Sequence, residues 1–192
     1  FCLSGIGKIY LIGTGKAVVP MARAVMDQLG DRLCGGVLIG KHDEPQFKLD
    51  AGPKIDYRLG SHPVPSALSL ESTRRLVEFL GKPTDKDLVI CLISGGGSSL
   101  MSLPYDPISL EDFQETTRQL LFCGATINEV NTIRKHLDQV KGGGLARLAA
   151  PAALATLVLS DVIGDALDAI ASGPTVADPS TFRDAWQIIT RY

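Results

Sequence analysis

The chain has 192 residues, 45% of them hydrophobic, with Gly 20 and Pro 11, which is enough for one α/β domain with a sizeable core and many turns. Its 19 Lys and Arg against 21 Asp and Glu give no basic field of the kind that nucleic acid or a membrane surface demands, so any anion site must be local. Cys2, Cys34, Cys91 and Cys123 lie far apart with no CxxC pair, which argues against zinc and redox centres and predicts buried, reduced thiols in a cytoplasmic protein.

Residues 8–12 read as a first buried strand. Gly13, Thr14, Gly15 and Lys16 follow it, and then apolar residues at three- and four-residue spacing, Val18, Val19, Ala22, Val25, Met26 and Leu29, closed by Gly30. This is a β-turn-α unit. Its turn imitates two nucleotide motifs and satisfies neither. Tyr10 and Ala17 occupy the diagnostic positions of a P-loop, and Val18 stands where a dinucleotide fingerprint needs its third glycine. What remains is Lys16, a cation at the first turn of a helix beside Gly13 and Gly15, against the dipole preference for acidic residues there. Such a lysine either seeks an anion or is a solvated surface side chain.

Residues 34–39 form a second short strand, and residues 41–52 a polar, turn-rich crossing in which His42 and Asp43 read as loop residues. Residues 57–59 give a short strand ending in SHPVPS. Pro63 and Pro65 stiffen that segment and block ladder pairing, so His62 is fixed at a sheet edge, where it can bind an anion, trade a proton or serve the turn alone. Ser66 caps a helix to about Leu80, with Leu68, Leu76, Val77 and Leu80 on one face and Gly81 and Pro83 after it.

Residues 88–93 are an apolar run without polar alternation, the pattern of a parallel strand covered on both faces. The run enters Ser94, Gly95, Gly96, Gly97, Ser98 and Ser99, where backbone N–H groups crowd at a helix start; the loop is either a phosphate or carboxylate site or a tight strand-to-helix turn. Residues 103–107 form a proline-bracketed turn, and Ser109 with Asp112 opens a helix that Gly124 ends. Asn128, Asn131, Arg134, Lys135, Asp138 and Lys141 then fall within four turns, with Asn131, Arg134, Lys135 and Asp138 on or beside one face. Such a face is ordinarily just solvated. Asn and Thr are mediocre surface helix formers, however, and Gly142, Gly143 and Gly144 are costly unless the backbone must turn or approach something. Residues 154–159 are another apolar strand. It delivers Asp161 to the carboxyl edge, where open α/β sheets bind ligands, and there an Asp can hold magnesium, act as a base or cap a turn. Residues 170–175 read as a Gly-Pro turn, and residues 182–192 as a last helix.

In series, GTGKA, SHPVP, LISGGGSSLM, NEVNTIRKHLDQVKGGGLA and LSDVIGDALDAIASGPT resemble the amino-terminal domain of the glycerate 2-kinase family, whose second half is called the MOFRL domain. The resemblance runs from about Ile9 to Tyr192. It implies a three-layer Rossmann-like α/β domain with a mainly parallel sheet over residues 1–192, with the MOFRL domain absent from this chain. It also implies ATP- and Mg2+-dependent phosphorylation of D-glycerate to 2-phosphoglycerate in a cleft between the two domains. It puts the catalytic lysine on Lys16. Contacts to phosphate or substrate fall on Gly13, Gly15, His62, Ser94, Gly95, Gly96, Gly97, Ser98, Ser99, Asn131, Arg134, Lys135 and Lys141, and Asp161 is the candidate for magnesium or hydroxyl positioning. Ser66 stands where the family commonly has Asp, which keeps a cap and removes a charge. Two alternatives stay open: a non-catalytic anion-binding module, and a hydroxypyruvate reductase, a label some relatives carry but one that Val18 does not support. The expected partner is a small molecule rather than nucleic acid or membrane, a homodimer is left open, and an opening Phe points to a piece of a larger protein.

Overall fold

The apolar runs without alternation lie side by side in the middle of the molecule. The computed structural model describes residues 3–41 and 55–192; Cys2, His42 and Asp43 lie outside the described residues. Strands β1 (Ile9–Thr14), β2 (Leu33–Lys41), β3 (Ile55–Gly60), β4 (Leu88–Ser94) and β5 (Ala153–Leu159) form one parallel sheet in the order β3-β2-β1-β4-β5. The helices are α1 (Val18–Leu29), α2 (Ala67–Leu80), α3 (Gly97–Leu100), α4 (Leu110–Phe122), α5 (Ile127–Leu137), α6 (Gly144–Ala149) and α7 (Phe182–Arg191).

Strand alternation divides the apolar run of β4 between two cores. Leu88, Ile90 and Leu92 join Leu11 and Leu38 beneath Val18, Val19 and Ala22 of α1. Val89, Cys91 and Ile93 join Ile12, Val37 and Ile39 against Leu76 and Leu80 of α2 and Leu145 and Ala149 of α6. Helices on both faces of a parallel sheet make the three-layer, Rossmann-like architecture expected from the sequence. A smaller third cluster joins α4, α5 and α7 through Leu120, Val130, Ile133, Ala185 and Ile188. β5 ends the sheet among the described residues, and Leu157, Val158 and Leu159 are exposed on it.

Several sequence expectations are corrected. Cys91 is buried, which pushes its thiol up to about 12, but Cys34 and Cys123 are exposed. The glycine-serine loop opens only the single turn of α3. α5 stops at Leu137, so Asp138 and Lys141 are not on the helix: Asp138 has extended backbone, φ −128 and ψ 133, and bridges Pro104 antiparallel. No helix among the described residues is long and apolar enough to cross a membrane.

That break in the helix aims Asp138 inward. Its Oδ2 accepts from Ser102 Oγ at 2.7 Å, from the Leu103 N–H at 3.0 Å and from Lys141 Nζ at 2.9 Å, while its Oδ1 accepts from the Val140 N–H at 3.0 Å. Lys141 also donates to the Met101 carbonyl at 2.8 Å. Both side chains are fully buried, and each charge is tolerable only because the other is there. The pair fastens the end of α5 to the segment leaving α3. Asp138→Asn is expected to cost about 3–5 kcal/mol by leaving a buried ammonium without its counter-charge, and adding Lys141→Met to recover at least half of that in urea unfolding. Equal losses for the single and double variants would show that the pair does not act as a unit.

Candidate functional site

The sheet order places β2 on one side of β1 and β4 on the other. Their connections therefore diverge at the carboxyl ends of β1 and β4, and that crevice is where open α/β sheets bind ligands. Two glycines let the loops there close on each other. A side chain on Gly13 would meet Leu92 and Val18, so Gly13 serves strand packing inside β1. Gly15, at φ +128, would drive a Cβ into Ser94 Oγ and the Ser94 backbone. With no side chain in the way, the Lys16 N–H donates to the Gly95 carbonyl at 2.9 Å and the Ala17 N–H to Ser94 Oγ at 3.0 Å. Ser94 is thus a buried clasp between the loops rather than a ligand group. α1 starts at Val18, which leaves Lys16 ahead of the helix with its side chain exposed at the crevice.

Around Gly95 and Gly96 the expected polar groups converge. A Cβ on Gly95 would strike Asp161 Oδ2, and one on Gly96 would lie 3.0 Å from His62 Cδ2 and 3.3 Å from Lys16 Cε. Lys16, His62 and Asp161 therefore flank two consecutive glycines, though they come from loops far apart in sequence. His62 is held by its neighbours: the Ser61 N–H donates to Ser69 Oγ at 3.0 Å, Ser61 and Ser66 share a hydrogen bond at 2.7 Å, and Ser66 caps α2. Burial, then the charges of Lys16 and Lys41, push the His62 imidazole below its usual value near 6.5. Lys41, at the carboxyl end of β2, is a contributor that sequence reasoning passed over. No side chain caps α3, so the N–H groups of its first residues, Gly97 and Ser98, have neither an intrahelical partner nor a capping one.

The segment read from sequence as an ordinary Gly-Pro turn belongs to the same structure. Ala171, Ser172 and Gly173 all have left-handed backbone, at φ 51, 62 and 58. Two non-glycine residues in succession there are strained. The triple glycine holds them: the Gly142 N–H donates to the Ser172 carbonyl at 3.0 Å and the Gly143 N–H to the Gly173 carbonyl at 2.8 Å. Ala171 packs on Gly97, where a Cβ would come within 2.9 Å of its own, and Ser172 and Ser98 share a hydrogen bond at 2.7 Å. The costly glycines thus bring one backbone onto another that underlies the glycine-serine loop.

Not every expected residue reaches the crevice. Lys141 is fully buried on Asp138. Lys135, 6% exposed, lies between Asp168 at 3.5 Å and Asp178 at 3.4 Å and joins α5 to the loop before α7. Asn131 is half-buried on α5 and does not line the adjoining cavity. Arg134 does. That cavity, about 820 Å³, lies between the SHPVP segment, α4 and α5, with His62, Gly96, Ser98 and Ser99 on one side and Val130 and Arg134 on the other. Among the described residues no group of three or more His, Cys, Asp or Glu is gathered to hold a metal. A single carboxylate such as Asp161 would suffice only for an ion that takes most of its oxygens from water and phosphate, as Mg2+ does.

A parallel sheet between two helical layers, with Lys16, His62 and Asp161 gathered at its carboxyl edge, defines an α/β domain of the three-layer class. The chain belongs to the family described as Domain of unknown function (DUF4147), which matches residues 1–192. A D-glycerate 2-kinase of Thermotoga maritima is 43% identical over 189 residues, 97% of this chain and 44% of that protein. The crystal structure of a glycerate kinase from Thermotoga maritima matches with a TM-score of 0.92 at 42% identity, covering 97% of this chain and 44% of that one. A relative in Agrobacterium vitis, 44% identical over 186 residues, 97% of this chain and 42% of that protein, bears a hydroxypyruvate reductase name. The resemblance to the amino-terminal domain of the glycerate 2-kinases therefore holds, and the chain spans less than half the length of these relatives.

The strain at Ser172 is testable by comparing two substitutions. Both Ser172→Gly and Ser172→Ala lose the bond to Ser98, but only glycine relaxes a left-handed backbone, so Ser172→Gly is expected to be the more stable by about 1 kcal/mol in urea unfolding. The opposite order would remove strain from the description of this loop.

Proposed function

We propose that this domain carries the phosphoryl-transfer centre of a glycerate kinase, transferring the γ-phosphoryl group of ATP to a hydroxyl of D-glycerate with 2-phosphoglycerate as product, in a cleft completed by a second domain. The observation that carries this reading is the meeting of Lys16, His62 and Asp161 at Gly95 and Gly96. Family membership and the kinase names of the relatives support it. Phosphoryl transfer asks little covalent chemistry of a protein and much positioning of cations and donors. ATP with its magnesium supplies the activated phosphoryl group when bound.

Lys16 stabilises charge on the transferring oxygens, and the free N–H groups of Gly97 and Ser98 face the same anion. Asp161 is the residue that would hold the magnesium ion, which would supply positive charge to the phosphate oxygens. The substrate hydroxyl oxygen forms the new bond to phosphorus, the bond to the bridging oxygen breaks, and its electron pair leaves with ADP. His62, uncharged near neutral pH because its pKa is lowered, accepts the hydroxyl proton. Val18 in place of the third fingerprint glycine, packed directly on Gly13, gives a nicotinamide reductase no pyrophosphate turn.

The test is a coupled assay on the full-length protein with D-glycerate, ATP and magnesium, identifying the phosphoglycerate formed. Lys16→Ala is expected to lower kcat by about 10²–10³-fold with an unchanged circular dichroism spectrum. NADH consumption with hydroxypyruvate and no ADP release would overturn the kinase reading. The pH profile tests His62 separately. Protonation removes the base, so kcat should fall as pH drops through the lowered His62 pKa, on the acid side of 6.5. In His62→Gln that acid limb should vanish at a lower plateau, and its persistence would assign the proton to another group.

A further inference from the structure

Arg134 is a half-buried cation at the cavity wall, and no acid forms an ion pair with it among the described residues. Its Nε is buried without a hydrogen-bond partner, and the guanidinium carbon lies over the Phe113 ring, 5.9 Å from its centre. Asp138 is near enough to favour its charge, but burial outweighs that help and pulls the Arg134 pKa down. Both Asp138 oxygens are already taken by Ser102, Leu103, Val140 and Lys141. Among the described residues no carboxylate forms an ion pair with Arg134. A guanidinium whose Nε is buried without a partner carries a desolvation cost that an arriving anion can offset.

The charge of the cavity says which anion. Besides Arg134 it is lined by Arg118, Glu111 and Glu115, and Arg118 is spent on Glu115 at 2.6 Å. The next cations in sequence are also committed, Lys135 to Asp168 and Asp178 and Lys141 to Asp138. One unpaired cation facing a wall that also holds Glu111 accommodates a single negative charge and repels a polyphosphate. Lys16 approaches Gly96 beside His62, at the edge of this cavity and next to Asp161.

We infer that Arg134 anchors the carboxylate of the acceptor, so that the cavity is the hydroxy-acid subsite and the nucleotide phosphates occupy the Lys16 side. This rests on the kinase reading for its second substrate but not for the carboxylate site itself. A planar guanidinium meets a carboxylate through two parallel hydrogen bonds. The acid's hydroxyl carbons then extend toward Ser98, Ser99 and His62. Recognition falls on the carboxylate, so glycerol, which has the hydroxyls and no charge, gains nothing from Arg134.

The experiment uses full-length protein, wild type and the Arg134→Gln and Arg134→Lys variants. D-glycerate, lactate and glycerol are titrated by calorimetry with and without a non-hydrolysable ATP analogue, and kcat and KM are measured for glycerate and ATP. Arg134→Gln is expected to weaken glycerate and lactate by about 10- to 100-fold, the worth of a charge-assisted hydrogen bond, and to leave the KM for ATP within roughly twofold. Arg134→Lys should recover part of the loss, and the thermal midpoint of Arg134→Gln should not fall, since that variant removes an unpaired charge. Unaltered glycerate affinity in an Arg134→Gln enzyme that still phosphorylates glycerate overturns the anchor and spares the kinase. A wild type that does not phosphorylate glycerate, yet binds a carboxylate that Arg134→Gln loses, overturns the kinase and keeps the anchor. Loss of ATP rather than glycerate, or a wild type that binds no carboxylate, overturns the assignment.

Discussion

The arrangement of the site depends on two missing side chains. Because Gly13 and Gly15 present no Cβ to β4, the loops leaving β1 and β4 come close enough for the Lys16 N–H to reach the Gly95 carbonyl and the Ala17 N–H to reach Ser94 Oγ. Hydrogen bonds of this kind add little net stability each. Their effect is positional: they set Lys16 beside Gly96, and through Gly95 they set the surface on which Asp161 rests. A methyl group at Gly15 would part the loops, whereas one at Gly13 would strike Leu92 and Val18 in the core.

A second set of glycines acts from below. Gly142 and Gly143 donate to the carbonyls of Ser172 and Gly173, and that left-handed segment in turn supports Gly97 and Ser98. The buried Asp138–Lys141 pair fixes the start of the same path, since it joins the end of α5 to the segment leaving α3. Packing, backbone strain and a desolvated ion pair thus bear on one loop from three directions. A loop so constrained keeps its geometry before any ligand arrives, which is the condition for stabilising charge as it develops.

Much of this was legible in the sequence because it follows from periodicity and capping. The unalternating run at 88–93 suited a doubly covered strand, and Ser66, Ser109 and Gly30 marked helix ends through local chemistry. Lys16, His62 and Asp161 were recognisable as candidates because each followed a strand. What stayed hidden was distance along the chain. Nothing local distinguishes Lys141, buried on Asp138, from a lysine facing a ligand, since both stand in the same polar stretch. Nor does the ASGP segment announce that it lies under Ser98, because its left-handed residues are Ala and Ser, types that ordinarily avoid such backbone. The helix of 127–137 ended early for a tertiary reason, the inward turn of Asp138.

The outer strand of the sheet has a consequence of another kind. β5 lies at the sheet margin with Leu157, Val158 and Leu159 exposed, and Ile163 stands fully in solvent just beyond. In colloidal terms this is a sticky end, a row of amides and carbonyls beside greasy side chains with no charge among them to discourage pairing. A bare margin of this kind invites neighbouring copies to join sheet to sheet, and so limits how concentrated a solution of such molecules can become before it turns cloudy.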